Sequence, residues 1–344
     1  MRTLVHALEW KAAFHLLTTS EAAHVSWDFP TWKIPSKTVV CQSDYANRKY
    51  LGDAAFFVTN QVALLRPDYL VLDTVAQGSF GEFLQLKHHA KKTVFINRHK
   101  REEALTGSSR QMLRLYDLIL TPDYESQAER YAYLEDELRV KNRFVTPIQS
   151  YRAEQAWSRT RVREYFGIKS DQKLVYVSAG GGGDNHASSL LESLVESLRQ
   201  CLDVVTLVGY GPLYRGPKLY RERVIPFGET SVSRYFSGVD AALCAAGYNT
   251  FQKLLSAGVP TAFVSLPKGW DAQDERIALA VEQGLAQALN LPLETAQICA
   301  TLESLLGSSG QQLRHCLRKR DRAEGVLNAA ETILRLRLDF RADR

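Results

Sequence analysis

Leu174-Val175-Tyr176-Val177-Ser178-Ala179-Gly180-Gly181-Gly182-Gly183-Asp184-Asn185 decides how the rest of the chain is read. Four apolar residues, a glycine run and then an amphipathic stretch make the pattern of a buried strand, a βα loop and a helix. On that helix Leu190, Leu191, Leu194, Val195 and Leu198 share one face, with Glu192, Glu196 and Arg199 on the other. Without Cβ atoms the glycines let backbone N–H groups approach a ligand, and the macrodipole at a helix N-terminus favours an anion such as phosphate. The plainer reading is a tight strand-to-helix turn. Neither standard nucleotide fingerprint fits: G-x-G-x-x-G would need a glycine at Asn185 or His186, and no G-x-x-x-x-G-K-[ST] occurs. A dehydrogenase and a P-loop ATPase are therefore disfavoured.

Similar short apolar runs bounded by polar residues recur along the chain. In the second half they are Val204–Val208, Ala241–Cys244 and Thr261–Val264, and in the first half Tyr69–Leu72, Val94–Ile96 and Leu118–Leu120. Strands of this kind alternating with helices indicate an α/β chain with parallel sheets. The stretch from about Thr146 to Thr160 has no sustained period and begins with Pro147, so it is read as a linker. This gives an N-terminal domain over 1–147 and a second over 148–325. A helix from about Glu324 to Leu338, with residues 326–344 as the closing segment, is expected to dock back on the first domain.

With 344 residues, two domains are the natural division. Hydrophobic residues at 45% and charged residues at 24% exclude a disordered or fibrous chain. No apolar run approaches the roughly 20 residues of a membrane span, and no signal peptide is present, which points to the cytoplasm. Five scattered cysteines without C-x-x-C support neither a disulfide framework nor a zinc cage. A net charge of +5 does not call for nucleic acid. One basic cluster stands out, Lys87, His88, His89, Lys91, Lys92, Arg98, His99, Lys100 and Arg101. It reads either as solvated helix and loop ends or as an attraction for anionic lipid headgroups or a phosphorylated substrate.

A second loop follows the strand ending at Cys244: Ala246-Gly247-Tyr248-Asn249-Thr250. Gly247 opens it, Asn249 or Thr250 can cap the helix Phe251–Ala257, and N–H groups again face an anion. Gly269-Trp270-Asp271-Ala272-Gln273-Asp274 occupies the loop after the next strand. Loops at the carboxyl ends of strands in one sheet are where open α/β sheets bind ligands.

From Leu174 to Ala286 this order of motifs resembles the donor domain of glycosyltransferase family 28, the MurG-like GT-B enzymes. It is most similar to predicted bacterial glycosyltransferases whose motif reads G-G-Y-N-T. The carriers are the glycine loop, Val224-Ile225-Pro226-Phe227, the run Ala246 to Pro260, and Gln273-Asp274 with Ala278. Arg66-Pro67-Asp68-Tyr69-Leu70-Val71-Leu72-Asp73 is similar to the acceptor-domain strand of that group. In three places the chain departs from the pattern: Gln252 stands where the family has a ribose-binding glutamate, Ala246 replaces the first glycine, and Met1–Leu8 is similar to the helix that follows the family's G-x-G-H loop. The first βα unit of the N-terminal domain is thus expected to be missing.

The resemblance implies a GT-B fold, two Rossmann-like domains facing across a cleft. It implies an inverting, metal-independent glycosyltransferase that uses a UDP-sugar, UDP-GlcNAc-like, with no cofactor. By it Gly180, Gly181, Gly182, Gly183, Gly247, Tyr248, Asn249 and Thr250 cradle the diphosphate, Phe227, Gly228 and Gln252 hold base and ribose, and Gln273 and Asp274 face the sugar. The acceptor is expected to be lipid-linked, reached from the inner face of an anionic membrane. An inverting transfer needs a base for the acceptor proton. Asp73, ending a strand, is the first candidate and His99 the second; His186 and Asp123 are further candidates that read equally as a helix N-terminal residue beside the glycine loop and a turn residue after Pro122. A nucleotide-sugar hydrolase and a non-catalytic nucleotide-sugar-binding protein are the competing readings.

Overall fold

The computed structural model describes residues 12–22, 29–41, 43, 47–101, 106–201, 203–228, 232–267, 270–320 and 324–336. Met1–Leu8, Gly269 and the end of the last expected helix lie outside them. The first half opens with a parallel strand pair, β1 (Leu16–Thr18) and β2 (Thr31–Lys33), and helices α1 (Lys37–Val40) and α2 (Asn47–Leu65). A four-stranded parallel sheet follows in the order β3-β4-β5-β6: β3 (Tyr69–Asp73), β4 (Lys92–Ile96), β5 (Leu118–Thr121) and β6 (Asn142–Phe144). Its connections carry α3 (Phe83–Leu86), α4 (Gly107–Leu113) and α5 (Asp136–Lys141).

The second half begins with α6 (Arg159–Tyr165), followed by β7 (Lys173–Ser178), α7 (Ala187–Cys201), β8 (Val204–Gly209), β9 (Val224–Phe227) and β10 (Ala241–Ala245). It continues through α8 (Tyr248–Ser256), β11 (Thr261–Val264), α9 (Gln273–Glu282), β12 (Gln287–Leu289), α10 (Thr295–Leu306), α11 (Ser308–Lys319) and α12 (Gly325–Leu334). All six strands are parallel, in the order β12-β11-β10-β7-β8-β9.

The strands read as unbroken apolar runs because helices cover both faces: β8, β10 and β11 are buried throughout. Alternate residues of β7 serve the two sides. Val175 and Val177 pack with Leu190, Leu191, Leu194, Val195 and Leu198 of α7, whereas Leu174 and Tyr176 pack with Phe251, Leu254 and Leu255 of α8. The stripe expected on α7 is the one it buries. In the first domain Ala329, Ala330 and Ile333 of α12 complete a core with Val94 and Ile96 of β4 and Leu118 and Leu120 of β5. The chain thus returns from the second domain to cover the first sheet.

Two local expectations are corrected. The helix expected from Phe251 starts at Tyr248, so Asn249 and Thr250 lie within its first turn and Gly247 is the cap residue, with no side-chain cap bond. The reading of the cysteines without disulfides fails at one pair: Cys201 and Cys299 are bridged, with Cα atoms 5.2 Å apart across 98 residues. Cys201 ends α7 and Cys299 lies in α10, two helices that also meet through Ser197 Oγ and Thr295 Oγ1 at 3.0 Å. Sequence spacing carries no sign of such a tertiary meeting. Denaturation without reductant should leave three alkylatable thiols, Cys41, Cys244 and Cys316, against five after reduction. Closing so long a loop is worth about 4–5 kcal/mol on the chain-entropy model, so C299S should lower the urea midpoint accordingly.

Candidate active site

The order of strands in the second sheet reverses between β7 and β10: from β7 the chain moves outward to β8 and β9, then returns to β10 on the other side and moves away to β11 and β12. The two flanking βα loops separate there, opening a crevice at the carboxyl ends of the strands. A cavity of about 480 Å³ occupies it, within the range of small-molecule sites. Gly180 and Gly181 line it from one side, and Gly247, Tyr248, Asn249 and Thr250 from the other. An added Cβ on Gly180 would stand 3.9 Å from Thr250 Oγ1, so the two loops nearly touch. Because Gly247 brings no side-chain cap, the first-turn amides of α8 are free of the usual competitor for a ligand.

Gly182 and Gly183, expected on the phosphate, are not on the cavity wall. Gly182 has φ +77°, and a Cβ there would lie 2.7 Å from Tyr214 Cβ, while one on Gly183 would lie 3.0 Å from Leu213 Cβ. These glycines seat the neighbouring loop. The helix start behind them is also occupied, since Asp184 Oδ1 accepts from His186 N at 2.9 Å. Phe227 and Gly228 line the cavity beside Tyr176, Tyr210, Val232 and Phe236. The Phe227 carbonyl already accepts Tyr210 N at 2.8 Å, which leaves Gly228 as the backbone at that wall.

Gln252 is misplaced by the sequence reading. It is buried and lines a second cavity, of about 230 Å³, on the other side of α8. The next residue, Lys253, lines the larger cavity, and burial lowers its pKa. Gln273 and Asp274 also lie elsewhere. Gln273 is 1% exposed; its Oε1 accepts Leu266 N at 3.1 Å and its Nε2 donates to Asp271 Oδ2 at 3.0 Å. Asp274 faces Arg101 of the first domain at 2.6 Å. Trp270 and Asp271 take the cavity wall instead, with Arg276, which donates to Asp271 Oδ1 at 2.8 Å and to the Ala246 carbonyl at 2.6 Å.

The first domain supplies Arg98 and His99 to the wall. Asp73 is not part of it: it pairs with Arg98 Nε at 3.3 Å and accepts from Thr74 Oγ1 at 2.9 Å. His99 lies between the two cavities, lining both, and its Nε2 is 2.8 Å from Glu275 Oε2 of α9. Burial, reinforced by Arg130, lowers the His99 pKa, only partly countered by the hydrogen bond to Glu275, so the ring is neutral at pH 7. Against an ionised carboxylate Nε2 then carries the proton, and Nδ1, buried without a hydrogen-bond partner, holds the lone pair. Asp123 is engaged by Arg130 and Tyr131, both at 3.1 Å, and His186 does not reach the cavity. Further contacts join the domains: Tyr248 donates its hydroxyl to the Pro122 carbonyl at 3.0 Å, and Arg215 donates to the Glu21 carbonyl at 3.0 Å. Among the described residues no three His, Cys, Asp or Glu side chains gather into a metal-holding group.

No family model matches the chain. Over 156 residues it is 28% identical to the UDP-N-acetylglucosamine--N-acetylmuramyl-(pentapeptide) pyrophosphoryl-undecaprenol N-acetylglucosamine transferase of Corynebacterium glutamicum, covering 44% of this chain and 43% of that protein. The chain spans about half the length, or less, of the curated relatives it matches. The solved structure of the glycotransferase of kitacinnamycin superposes with a TM-score of 0.65 at 14% identity, covering 97% of this chain and 94% of that one. Acinetobacter baumannii MurG gives 0.60 at 14% identity, with 97% and 94% covered. The fold is GT-B: two Rossmann-like domains with parallel sheets.

Arg276 and Asp271 are both largely buried. Removing one partner strands the other's charge, so R276L should destabilise the chain by about 3–5 kcal/mol in urea unfolding, whereas the double change R276L/D271L should recover most of that loss.

Proposed function

We propose that this chain transfers a glycosyl group from a UDP-sugar to an acceptor hydroxyl, with inversion and without a metal. The observation that carries the reading is the cavity at the strand reversal, where Gly180, Gly181 and the uncapped start of α8 offer backbone N–H groups to a diphosphate. The curated relatives, named for transfer of N-acetylglucosamine to a pyrophosphoryl-undecaprenol acceptor, support a UDP-GlcNAc-like donor and a lipid-linked acceptor. Ala246 to Thr250 supports placement beside the relatives with a G-G-Y-N-T motif. Trp270 and Asp271, rather than Gln273 and Asp274, are the residues offered to the sugar.

In this mechanism the acceptor oxygen attacks the anomeric carbon as the bond to the diphosphate breaks. Negative charge grows on the leaving diphosphate, where preorganised N–H dipoles stabilise it most. The acceptor proton passes to His99 Nδ1. Glu275 holds the ring in the Nε2–H tautomer and stabilises the imidazolium that forms, the role a carboxylate plays behind a histidine base. Asp73, tied to Arg98, is set aside as the base.

Two measurements test this reading. UDP at a hundred times its dissociation constant should stabilise the protein by about 2.7 kcal/mol, and no rise in melting temperature with any of UDP, GDP or TDP would remove the donor site. With UDP-GlcNAc and a lipid-linked pyrophosphoryl acceptor, the acid limb of kcat/KM should fall below the ordinary histidine value of about 6.5. Glu275 raises the His99 pKa, so E275Q should move that limb to lower pH, and H99Q should cut kcat by about 10²–10⁴. An unmoved limb in E275Q would show that another group takes the proton.

A further inference from the structure

Three cationic side chains line the larger cavity: Arg98, Lys253 and Arg276. Arg98 faces Asp73 and Arg276 faces Asp271, at 3.3 and 2.8 Å. Lys253 has no ion pair or hydrogen bond to any described residue, and it is half-buried at the cavity wall, with its pKa lowered by that burial. An ammonium at a cavity wall without a protein counter-ion is left to water or to an anion that enters the cavity.

Its place on α8 turns it to the cavity. Side chains on a helix lean toward its N-terminus, and Lys253 follows Asn249 by four residues and Thr250 by three, so it shares their face. Lys253 stands in the last turn of α8, and from there its side chain lines the cavity together with the first-turn residues Asn249 and Thr250. The cavity thus brings the uncapped amides and an ammonium with no protein counter-ion to one wall, a setting that favours an anion.

We propose that Lys253 is the counter-charge for the diphosphate of a nucleoside diphosphate donor, deepening the donor-site reading given above and resting on it. No bond is made or broken by Lys253. It neutralises the phosphates on binding and the charge that grows on them as the sugar leaves. The amides contribute direction and Lys253 contributes the full charge that dipoles alone lack.

Calorimetric titration of the full chain with UDP and with uridine separates the outcomes. The wild type should bind both. K253M should weaken UDP at least about tenfold, equivalent to 1.4 kcal/mol, leave uridine within about twofold, and K253R should restore most of the UDP affinity. Retained uridine binding shows that K253M is folded, and should that variant fail to fold, K253Q takes its place with the same expected loss of UDP and the same retained uridine. K253M binding UDP as the wild type does, or losing uridine and UDP equally while folded, would overturn the assignment and leave the donor site standing. A wild type that binds neither UDP nor uridine would instead remove the donor site, and this role with it.

Discussion

The amides at the start of α8 have no side chain to satisfy them, because the helix begins on Gly247. That unsatisfied polarity organises the site. It lies at the strand reversal only because the parallel sheet sends β8 and β10 to opposite sides of β7, so the α8 turn and the Gly180 loop meet with empty space between them. A sheet wound in one direction would have packed the two loops against each other. Ser or Asp at position 247 would satisfy the amides from within the chain and compete with any anion. Glycine is required at Gly182 for a different reason, a positive φ and close approach to the Tyr214 backbone, which holds the far wall in place.

The joint between the domains combines strong and weak contacts in separate places. The strong part is apolar: Ala329, Ala330 and Ile333 of α12 are built into the first domain's core. Near the cleft the contacts are polar and accessible, as with Arg101–Asp274, whose side chains are 31% and 51% exposed, and such pairs contribute roughly 0–1 kcal/mol. On the proposed function, weak contacts at the mouth suit a cleft that has to admit and release a nucleotide, while the return helix keeps the domains joined. The His99–Glu275 pair is assembled from both domains, so on the proposed mechanism the base is held in its working tautomer only when they are together.

The strands and both glycine loops could be read from the sequence because each is a local pattern: apolar runs buried on two faces, and glycines directly after a strand. Gln252 shows where local reading slips. At about 100° per residue, Lys253 lies close to the mean direction of Asn249 and Thr250, and Gln252 falls well outside it. Helical arithmetic alone would have chosen Lys253. Gln273 and Asp274 lie off the cavity wall for another cause: the helix already starts at Gln273, so the loop residues before it, Trp270 and Asp271, take the wall, and boundaries are the least determined feature of a helix. The Cys201–Cys299 bridge and the His99–Glu275 pair span 98 and 176 residues and leave no local trace.

The basic run after β4 shows how backbone geometry assigns charges that composition only counts. Its last residues, Arg98 to Arg101, follow the end of β4 outside any regular element, and their side chains divide alternately between two sets of partners. Arg98 and Lys100 both turn to the first domain's own loop, bonding Thr74 through its hydroxyl and its carbonyl, and Thr74 needs that support because it sits at φ +76°. His99 and Arg101 turn the other way and bond Glu275 and Asp274 at the start of α9. One strand exit thus fixes the loop that ends β3 with its even residues and holds the second domain with its odd ones. Four of the residues that made the run look like a surface for anionic headgroups are engaged by partners within the molecule, and Lys91, before β4, faces Asp68 at 2.8 Å.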